Sequence, residues 1–285
     1  MNPLMDVTLL EHEPLVRLAA FFIVFGLMAA WEVLAPRRTQ RIPRRLRWPN
    51  NLAIVALNTL LLRALLPTAA AGVALAAEQR GWGLLNNMAL PGWLAFLCAL
   101  ALLDLAIYLQ HVMFHALPAL WRLHRMHHAD LEFDVTTGAR FHPVEMVLSM
   151  LLKSAVILML GPPALTVLVF EVLLNATSVF NHANVRIPAA VDRIVRWLVV
   201  TPDMHRVHHS ISPRETNSNF GFNLPWWDRL FGTYRAEPQA GHDRMTIGIE
   251  QFRSPRELWL DRMLLQPFRG EDGGYAIGRR EEGAR

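Results

Sequence analysis

Hydrophobic residues are gathered along the chain into five long runs separated by short polar segments. The runs cover residues 15–35, 52–77, 93–109, 144–160 and 164–180. A helix needs about 20 apolar residues, within a range of about 17–25, to cross the hydrocarbon core of a bilayer. The first three runs meet this requirement, and the last two flank "GPP" at 161–163, as in a helical hairpin or two nearly spanning helices. The pattern predicts an all-α polytopic membrane bundle of about four to five membrane helices.

The composition agrees with a membrane protein and narrows its chemistry. Hydrophobic residues make up 53% of the 285 residues and charged residues only 18%, a balance too apolar for an ordinary soluble domain. The single cysteine, Cys98, lies in the third run, which excludes an intramolecular disulfide and a metal site built from thiolates. A signal peptide carries basic residues before its apolar run, whereas the acidic segment "EHEP" precedes the first run of this chain. We therefore expect no cleaved signal peptide.

Arginine is concentrated in one of the loops between the runs. The loop at 35–50 contains Arg37, Arg38, Arg41, Arg44, Arg45 and Arg47, whereas the next loop, at 78–91, contains only Arg80. Nucleic-acid binding is one interpretation of a basic segment, but cytoplasmic loops of membrane proteins carry the same excess of arginine. We therefore expect no nucleic-acid partner, a cytoplasmic 35–50 loop and an N-terminus on the other side. This orientation brings every histidine motif to the cytoplasmic side, within a helical cap on the bundle.

Nine of the twelve histidines occur in motifs with helical spacing. The motif H-x-x-x-H occupies 111–115, H-x-x-H-H occurs at both 124–128 and 205–209, and a single histidine follows the fifth run at 182. Residues three or four apart share a helix face, whereas adjacent residues diverge by about 100° and can serve two different metals. Nine imidazoles are too many for one metal, but two metals with four or five each can use them and keep room for an exogenous ligand. Imidazole binds iron, zinc, copper and nickel, so the ligand type does not select the metal.

Other interpretations of the histidines fit less well. A zinc protease has H-E-x-x-H, and conventional di-iron bundles use glutamates with Glu-x-x-His; neither string is present. Metal-storage tracts are runs on flexible linkers, not helix-spaced motifs interleaved with "WRL" and "RV". Of the three remaining histidines, His12 and His242 are expected to be interfacial polar residues without a role in the site.

Two stripes of polar residues run along the predicted membrane helices, where polar groups are costly. One consists of Asp104, Tyr108, His111 and His115, and the other of Glu171, Asn175, Ser178 and His182. We expect the stripes to face each other. Two interpretations stay open: the polar residues hold the imidazole N–H groups in place, or they form a plain interhelical pair that also involves Arg63 or Lys153.

The three histidine motifs in this order resemble those of the fatty acid hydroxylase/sterol desaturase superfamily, whose members are membrane enzymes with two non-haem irons. Three connecting segments resemble that family as well: "TTGARFHPVE" (136–145), "NHAN" (181–184) and "NSNFGFNLPWWDRLFGTYR" (217–235). The resemblance covers roughly residues 95–237. It implies that two irons are bound by His111, His115, His124, His127, His128, His182, His205, His208 and His209. His142 matches a family position as well and either binds metal or lines the site. Residues that would hold the imidazoles are Asp203, Asn219, Asn181, Asp104 and Glu171.

The resemblance also implies an activity. It predicts an O2-dependent enzyme that hydroxylates a C–H bond of a lipid (a sterol, a fatty acyl chain or a related lipid). Desaturation and cleavage by an ether-lipid monooxygenase are alternatives on the same site, and a non-catalytic metal carrier is the alternative from another class. The chain has no G-x-G-x-x-G fingerprint and no haem or iron–sulfur motif, so a ferredoxin or a cytochrome-b5-like protein is expected to supply electrons.

The sequence divides into three predicted regions. Residues 1–90 form the N-terminal membrane helices, 91–240 the catalytic domain and 241–285 a cytoplasmic C-terminal segment that is partly disordered. The charged tail at 269–285 is the part that we expect to be disordered. A short chain rich in alanine, arginine and leucine suggests the inner membrane of a bacterium.

Overall fold

The computed structural model describes residues 8–271 and 273–278. Within these ranges the protein is helical, and its β-structure is limited to two isolated bridges, Pro36–Val185 and Ser210–Ile247. The helices are α1 (Glu13–Leu34), α2 (Arg44–Leu65), α3 (Ala69–Gln79), α4 (Gly92–Ala116), α5 (Pro118–His128), α6 (Pro143–Leu160), α7 (Ala164–Asn181), α8 (Ala189–Val195), α9 (Pro202–His208), α10 (Pro213–Thr216), α11 (Trp226–Leu230) and α12 (Leu260–Leu265).

Five helical segments are long and apolar enough to cross a membrane: α1, α2 together with α3, α4, α6 and α7. They confirm the predicted all-α membrane bundle. The second segment is not one straight helix, because α2 ends at Leu65 and α3 begins after Pro67, whose missing N–H breaks the backbone hydrogen bonding. Large apolar side chains on the outside, such as Phe22 and Leu60, are 64% and 69% exposed. A bilayer provides the apolar surroundings that these positions need, and the chain is an integral membrane protein.

The turn between α6 and α7 depends on a close backbone approach. Gly161 ends α6 with a left-handed φ of 61°, and a Cβ added at Gly83 would lie 2.2 Å from the Gly161 nitrogen. The loop before α4 therefore lies against the α6–α7 turn, and Leu84 N–H donates to the Met159 carbonyl at 2.9 Å. This packing places the "GPP" turn at the end of the bundle opposite to the histidines.

The core of the bundle lies between α3, α4, α6 and α7. Its buried side chains include Leu103, Ile157, Val167 and Phe170. Dense apolar packing here keeps the histidine ends of α4 and α7 next to each other. The shorter helices and the loops at 117–142 and 182–278 form a cap on that end, apart from the undescribed residue 272.

A buried ion pair joins the cap to the bundle. Arg47, in the first turn of α2, donates from Nε and Nη2 to the two carboxylate oxygens of Asp130 at 2.8 and 2.7 Å. It also donates to Asp134, and all three side chains are fully buried. Burial alone would raise the pKa of Asp130, but the Arg47 guanidinium outweighs it and holds that pKa well below its ordinary value. The arginine-rich loop therefore lies on the same side of the bundle as the histidine cap.

Within the tail that was predicted to be disordered, the described residues 269–271 and 273–278 include a segment that packs against the cap. Tyr275 is fully buried, and its ring stacks on Trp121 with a centroid distance of 5.4 Å. Its hydroxyl donates to the Ile211 carbonyl at 2.8 Å, and Ile277 N–H donates to the His115 carbonyl at 3.0 Å. This part of a charge-rich tail is ordered because its one tyrosine fills a pocket in the cap. Residues 279–285 lie outside the described residues.

Candidate metal centre

Four elements deliver the nine histidines of the motifs to one place at the end of the bundle. The last turns of α4 carry His111 and His115, α5 carries His124, His127 and His128, His182 follows α7, and α9 with the residue after it carries His205, His208 and His209. Both short helices begin with proline at their first position, which suits a helix start. Thr201 caps α9, since its side chain accepts from Met204 N–H.

The histidines form two groups, each compact enough to surround one ion. His111, His115, His124, His128 and His208 make up the first group, and His127, His182, His205 and His209 the second. Within each group the candidate ligand nitrogens all lie within 4.8 Å of one another. All nine side chains are buried. The adjacent pair His127–His128 divides between the groups, as the divergence of neighbouring helix positions requires.

Facing nitrogens within the groups are close together. His111 Nε2 lies 3.1 Å from His124 Nε2, and His182 Nε2 lies 3.2 Å from His127 Nε2 and 3.1 Å from His205 Nε2. Several buried nitrogens have no hydrogen-bond partner among the described residues: His115 Nε2, His208 Nε2 and both nitrogens of His128 and His209. Buried polar atoms without partners are costly. A metal ion at each centre would satisfy one nitrogen of each of these imidazoles, so the residues present fit a pair of ions.

Five imidazoles are fixed by a hydrogen bond from Nδ1–H, which leaves Nε2 free to face the centre. His111 donates to the Phe220 carbonyl at 2.8 Å, His182 to Ser178 at 2.8 Å and His208 to Ser218 at 2.7 Å. His115 donates to Asn217 Oδ1 at 3.0 Å, and His124 donates to Glu145 Oε1 at 2.6 Å. Such hydrogen bonds set the tautomer and the ring orientation of metal-binding histidines.

Asn217 and Glu145 were not among the predicted partners. Both lie in segments that carry the family resemblance, Glu145 at the end of "TTGARFHPVE" and Asn217 at the start of "NSNFGFNLPWWDRLFGTYR". The signal was therefore present in the sequence. Spacing alone does not show which polar residue of such a segment meets an imidazole, because the contacts join residues 21 and 102 positions apart.

Burial favours the neutral form of six of the imidazoles. It lowers the pKa of His127, His128, His205, His208 and His209 well below the ordinary value. For His182, burial lowers the pKa to about 3 against an opposing hydrogen bond to the Ser178 carbonyl. A neutral imidazole has the free lone pair that a metal needs.

Phenylalanine rings enclose the imidazoles. Phe141 stacks on His127 with a centroid distance of 4.4 Å, and Phe220 contacts His115 at 5.0 Å. Phe133 covers His209 at 5.1 Å, and Phe222 lies 5.1 Å from His111. These rings limit the entry of water to the two groups.

His142 lies outside both groups. Its Nδ1 accepts from Val144 N–H at 3.2 Å and caps α6, and its Nε2 donates to the Leu264 carbonyl at 3.2 Å. Both ring nitrogens are therefore used in hydrogen bonds, so we leave His142 out of the proposed ligand set. Of the two histidines expected to be interfacial, His12 is exposed, but His242 is buried beside Glu237 at 2.9 Å.

Two of the predicted partner residues, Asp104 and Glu171, form interhelical and loop contacts and do not hold imidazoles. Asp104 accepts from Trp227 Nε1 at 2.8 Å and from Leu224 N–H at 3.2 Å. Glu171 pairs with Lys153 and with Arg17. The structure therefore favours the interhelical interpretation for Glu171, with Lys153 as its partner.

The other three predicted partners are hydrogen-bonded to backbone carbonyls or paired with arginines around the site. Asn219 Nδ2 donates to the Met204 and Arg235 carbonyls, both at 2.8 Å. The backbone of Asn219 is left-handed, with a φ of 52°. Asn181 Nδ2 donates to the Phe222 carbonyl at 3.1 Å. Asp203 pairs with Arg206 and with Arg37. Among the described residues, none of the three is hydrogen-bonded to one of the nine imidazoles, and they act on the site through the backbone or through neighbouring arginines.

The chain is similar in sequence to several known proteins. The family model for fatty acid hydroxylases matches residues 96–233. The chain is 31% identical over 181 residues to the ornithine lipid hydroxylase OlsE of Rhizobium tropici, covering 64% of this chain and 52% of that protein. It is 26% identical to the alkylglycerol monooxygenase of Danio rerio, covering 62% of this chain and 36% of that protein. It is 30% identical to the cholesterol 25-hydroxylase of Rattus norvegicus, covering 54% of this chain and 50% of that protein.

The matched part thus spans about half or less of the length of these relatives. No solved structure matches the chain. The named relatives are lipid hydroxylases and monooxygenases, which are oxidoreductases, and the matched region contains all nine histidines of the two groups. Residues 96–233, about half of the chain, are thus similar to the fatty acid hydroxylases, and the relatives support a place in the fatty acid hydroxylase/sterol desaturase superfamily.

Proposed function

We propose that the protein is a membrane oxygenase with two irons that uses O2 and external electrons to hydroxylate a C–H bond of a lipid. The observation that carries the proposal is the division of nine buried imidazoles into groups of five and four at the bundle end of α4 and α7. An all-imidazole set does not by itself select iron. The choice of iron rests on the family.

Each part of the site has a role in this reaction. When bound, two ferrous ions would supply electrons and open positions for O2. Glu145 and Asn217 hold His124 and His115 in place, so that the ligands need no reorganisation when a metal binds. The phenylalanine rings exclude water, which protects a reactive centre from side reactions.

A lipid substrate agrees with the position of the site. His111 and His115 belong to α4, a membrane-spanning segment, so the imidazoles lie at the edge of the apolar part of the bundle. The named relatives act on ornithine lipids, alkylglycerols and cholesterol, all of them lipids. Cleavage of an ether lipid is a second candidate reaction because alkylglycerol monooxygenases of several animals are among the relatives. A desaturase reaction remains the other alternative on the same site.

A metal carrier is a weaker candidate. A translocation path needs ligands at several depths, whereas all nine histidines lie in two adjoining buried groups. Phenylalanine rings also lie against both groups.

Electrons would come from a ferredoxin or a cytochrome-b5-like protein on the cytoplasmic side of a bacterial inner membrane. The arginine-rich loop offers fewer cations for docking than the sequence suggests. Arg47 is buried and Arg37 is paired with acids of the cap, which leaves Arg41 and Arg45 exposed. A negatively charged donor surface would complement these two.

The test is labelling with 18O2 in cells that express the protein, followed by mass spectrometry of the lipids. Hydroxylation places one labelled oxygen in a lipid, and the label is lost in His205→Ala but kept in His12→Ala. A lipid that has lost two hydrogens and contains no labelled oxygen would indicate desaturation. No change in sterol, acyl or ether lipids, with two irons bound and a donor consuming electrons, would contradict a lipid substrate.

A further inference from the structure

Seven large apolar side chains are exposed together on the cap side of the bundle. They lie on two segments, 189–198 and 226–231, which we call the interfacial platform. The side chains are Val191, Ile194, Trp197, Leu198, Trp226, Leu230 and Phe231, with exposed fractions between 48% and 69%. A patch of this kind on a protein surface indicates a partner.

Direct contacts make the two segments one surface. Trp226 Nε1 donates to the Trp197 carbonyl at 2.7 Å, and the Arg229 guanidinium lies 3.7 Å from the centroid of the Trp197 ring. Arg229 also donates to the Arg196 carbonyl at 3.2 Å. The platform is thus a continuous, fixed surface rather than two separate groups of apolar residues.

The platform contacts the membrane-spanning helix α4 at residues that lie farther from the cap end of that helix than its histidines do. Phe231 stacks on Tyr108 of α4 with a centroid distance of 5.4 Å, and Trp227 Nε1 donates to Asp104 of α4 at 2.8 Å. The apolar run of α4 continues to Leu109, five residues beyond Asp104. With a rise of about 1.5 Å per residue, Asp104 lies about 8 Å inside the end of this apolar run. Because Trp227 of α11 contacts Asp104, α11 reaches the same depth. Interfacial helices bury their apolar face to a depth of about 5–10 Å.

The short helix α8 has the matching amphipathic pattern. Val191 and Ile194 lie on one face of α8, Asp192 and Arg193 lie on the other, and Leu198 follows in the turn after the helix. Asp192 is paired with Arg196. Exposed Arg186 and Arg193 border a cleft of about 630 Å³ and take part in no salt bridge between described residues. Unpaired arginines beside an apolar face complement the phosphates of a lipid headgroup layer.

We infer that the interfacial platform is inserted into the membrane leaflet on the histidine side, with the bilayer itself as its partner. Two connections link it to the metal centre. Asp228 of α11 accepts from the N–H groups of Phe220 and Gly221 at 2.8 and 2.9 Å, and the Phe220 carbonyl fixes His111. Leu198 lies just before α9 and its histidines. Insertion of the platform therefore fixes the depth of the two histidine groups relative to the lipid, whatever reaction they catalyse.

The experiment measures the surroundings of single side chains in the full-length protein in liposomes. Native Cys98 is changed to Ser, and a nitroxide label is placed at Ile194→Cys or Leu230→Cys. Phe22→Cys, exposed on α1, is the lipid-facing comparison, and Gln239→Cys, exposed on the cap, is the water-facing one. Because all four positions are exposed, the labels leave the core intact, and circular dichroism checks this.

Electron paramagnetic resonance then compares collisions with O2, which concentrates in lipid, and with a water-soluble nickel complex. We expect the O2-to-nickel ratio at Ile194 and Leu230 to be close to that at Phe22 and several-fold above that at Gln239. A ratio equal to that at Gln239 would place the platform in water and overturn the inference. Protection from both reagents would overturn it too, since a second protein surface would then cover the patch. The readout needs neither metal nor activity.

Discussion

Glu145 Oε1 accepts the Nδ1–H of His124 at 2.6 Å, and both side chains are buried. The hydrogen bond joins the first turn of α6 to the middle of α5, so one carboxylate at the end of a membrane helix orients an imidazole of the five-histidine group. The opposite nitrogen of His124 lies 3.1 Å from His111 Nε2. Glu145 thereby fixes the direction in which His124 presents its lone pair.

We expect Glu145→Ala to weaken metal binding in the five-histidine group by about 10–100-fold, the usual cost of losing such a partner. Glu145→Gln keeps an acceptor and should lose less. Metal affinity is measured by competition with a chelator under anaerobic conditions. Glu250→Gln, on an exposed side chain of the cap, is the control. Equal affinities in Glu145→Ala and in the control would show that this hydrogen bond does not orient a ligand.

Removal of one histidine from each group tests the division into two ions. We expect His208→Ala and His127→Ala each to lower the metal content of the anaerobically purified protein, from about two ions per chain. His142→Asn and His12→Ala should keep the full content, because neither residue belongs to a group. Elemental analysis gives the stoichiometry. One zinc per chain, unchanged in both ligand variants, would contradict two iron sites.

His142 should make the folded protein less stable in mild acid. Burial lowers its pKa in the folded state, so below about pH 6.5 the unfolded chain binds a proton that the folded protein does not. Stability therefore falls as the pH drops below that value, toward the lower pKa of the folded state. His142→Asn keeps a capping side chain at the start of α6 but cannot titrate.

The measurement is the apparent Tm of the protein in detergent between about pH 7.5 and 5. We expect a shallower decline for His142→Asn than for the unchanged protein, and an unchanged decline for His12→Asn, on an exposed side chain. Parallel declines for all three proteins would show that His142 does not contribute.

Arg47 should be essential for joining the cap to the bundle. Arg47→Met leaves the buried carboxylates of Asp130 and Asp134 without their cation, which costs about 3–5 kcal/mol. The neighbouring Arg45→Met, on an exposed side chain, should stay within about 0.5 kcal/mol. Thermal unfolding in detergent compares the two variants, and equal midpoints would refute the structural role of the ion pair.

The orientation in the membrane can be read with reporter fusions. Fusions after Gln40 and after Pro238 should both report the cytoplasm, and one near Asn87 should report the opposite side, as the arginine excess predicts. The structure places the first two on one end of the bundle, because Gln40 donates to Asp134 of the cap at 3.0 Å. Opposite results at Gln40 and Asn87 would invert the proposed orientation.

The sequence by itself determined the membrane helices and the identity of the nine clustered histidines. Apolar runs of sufficient length specify membrane helices wherever they occur, and the spacing within a motif specifies which side chains share a helix face. That is why the five segments were confirmed and why His127 and His128 were expected to serve different centres. The break at Pro67 is also a local property, although the run was predicted as one segment.

Only the tertiary structure decided how the groups are composed and what surrounds them. His208 joins the α4 histidines while His209 joins His182, and Glu145 rather than Asp203 holds an imidazole. Tyr275 is ordered because a pocket against Trp121 receives it. Periodicity assigns a residue to a face of its own helix, but these contacts join elements far apart in the chain. Their partners are set by how the helices pack, which no local pattern contains.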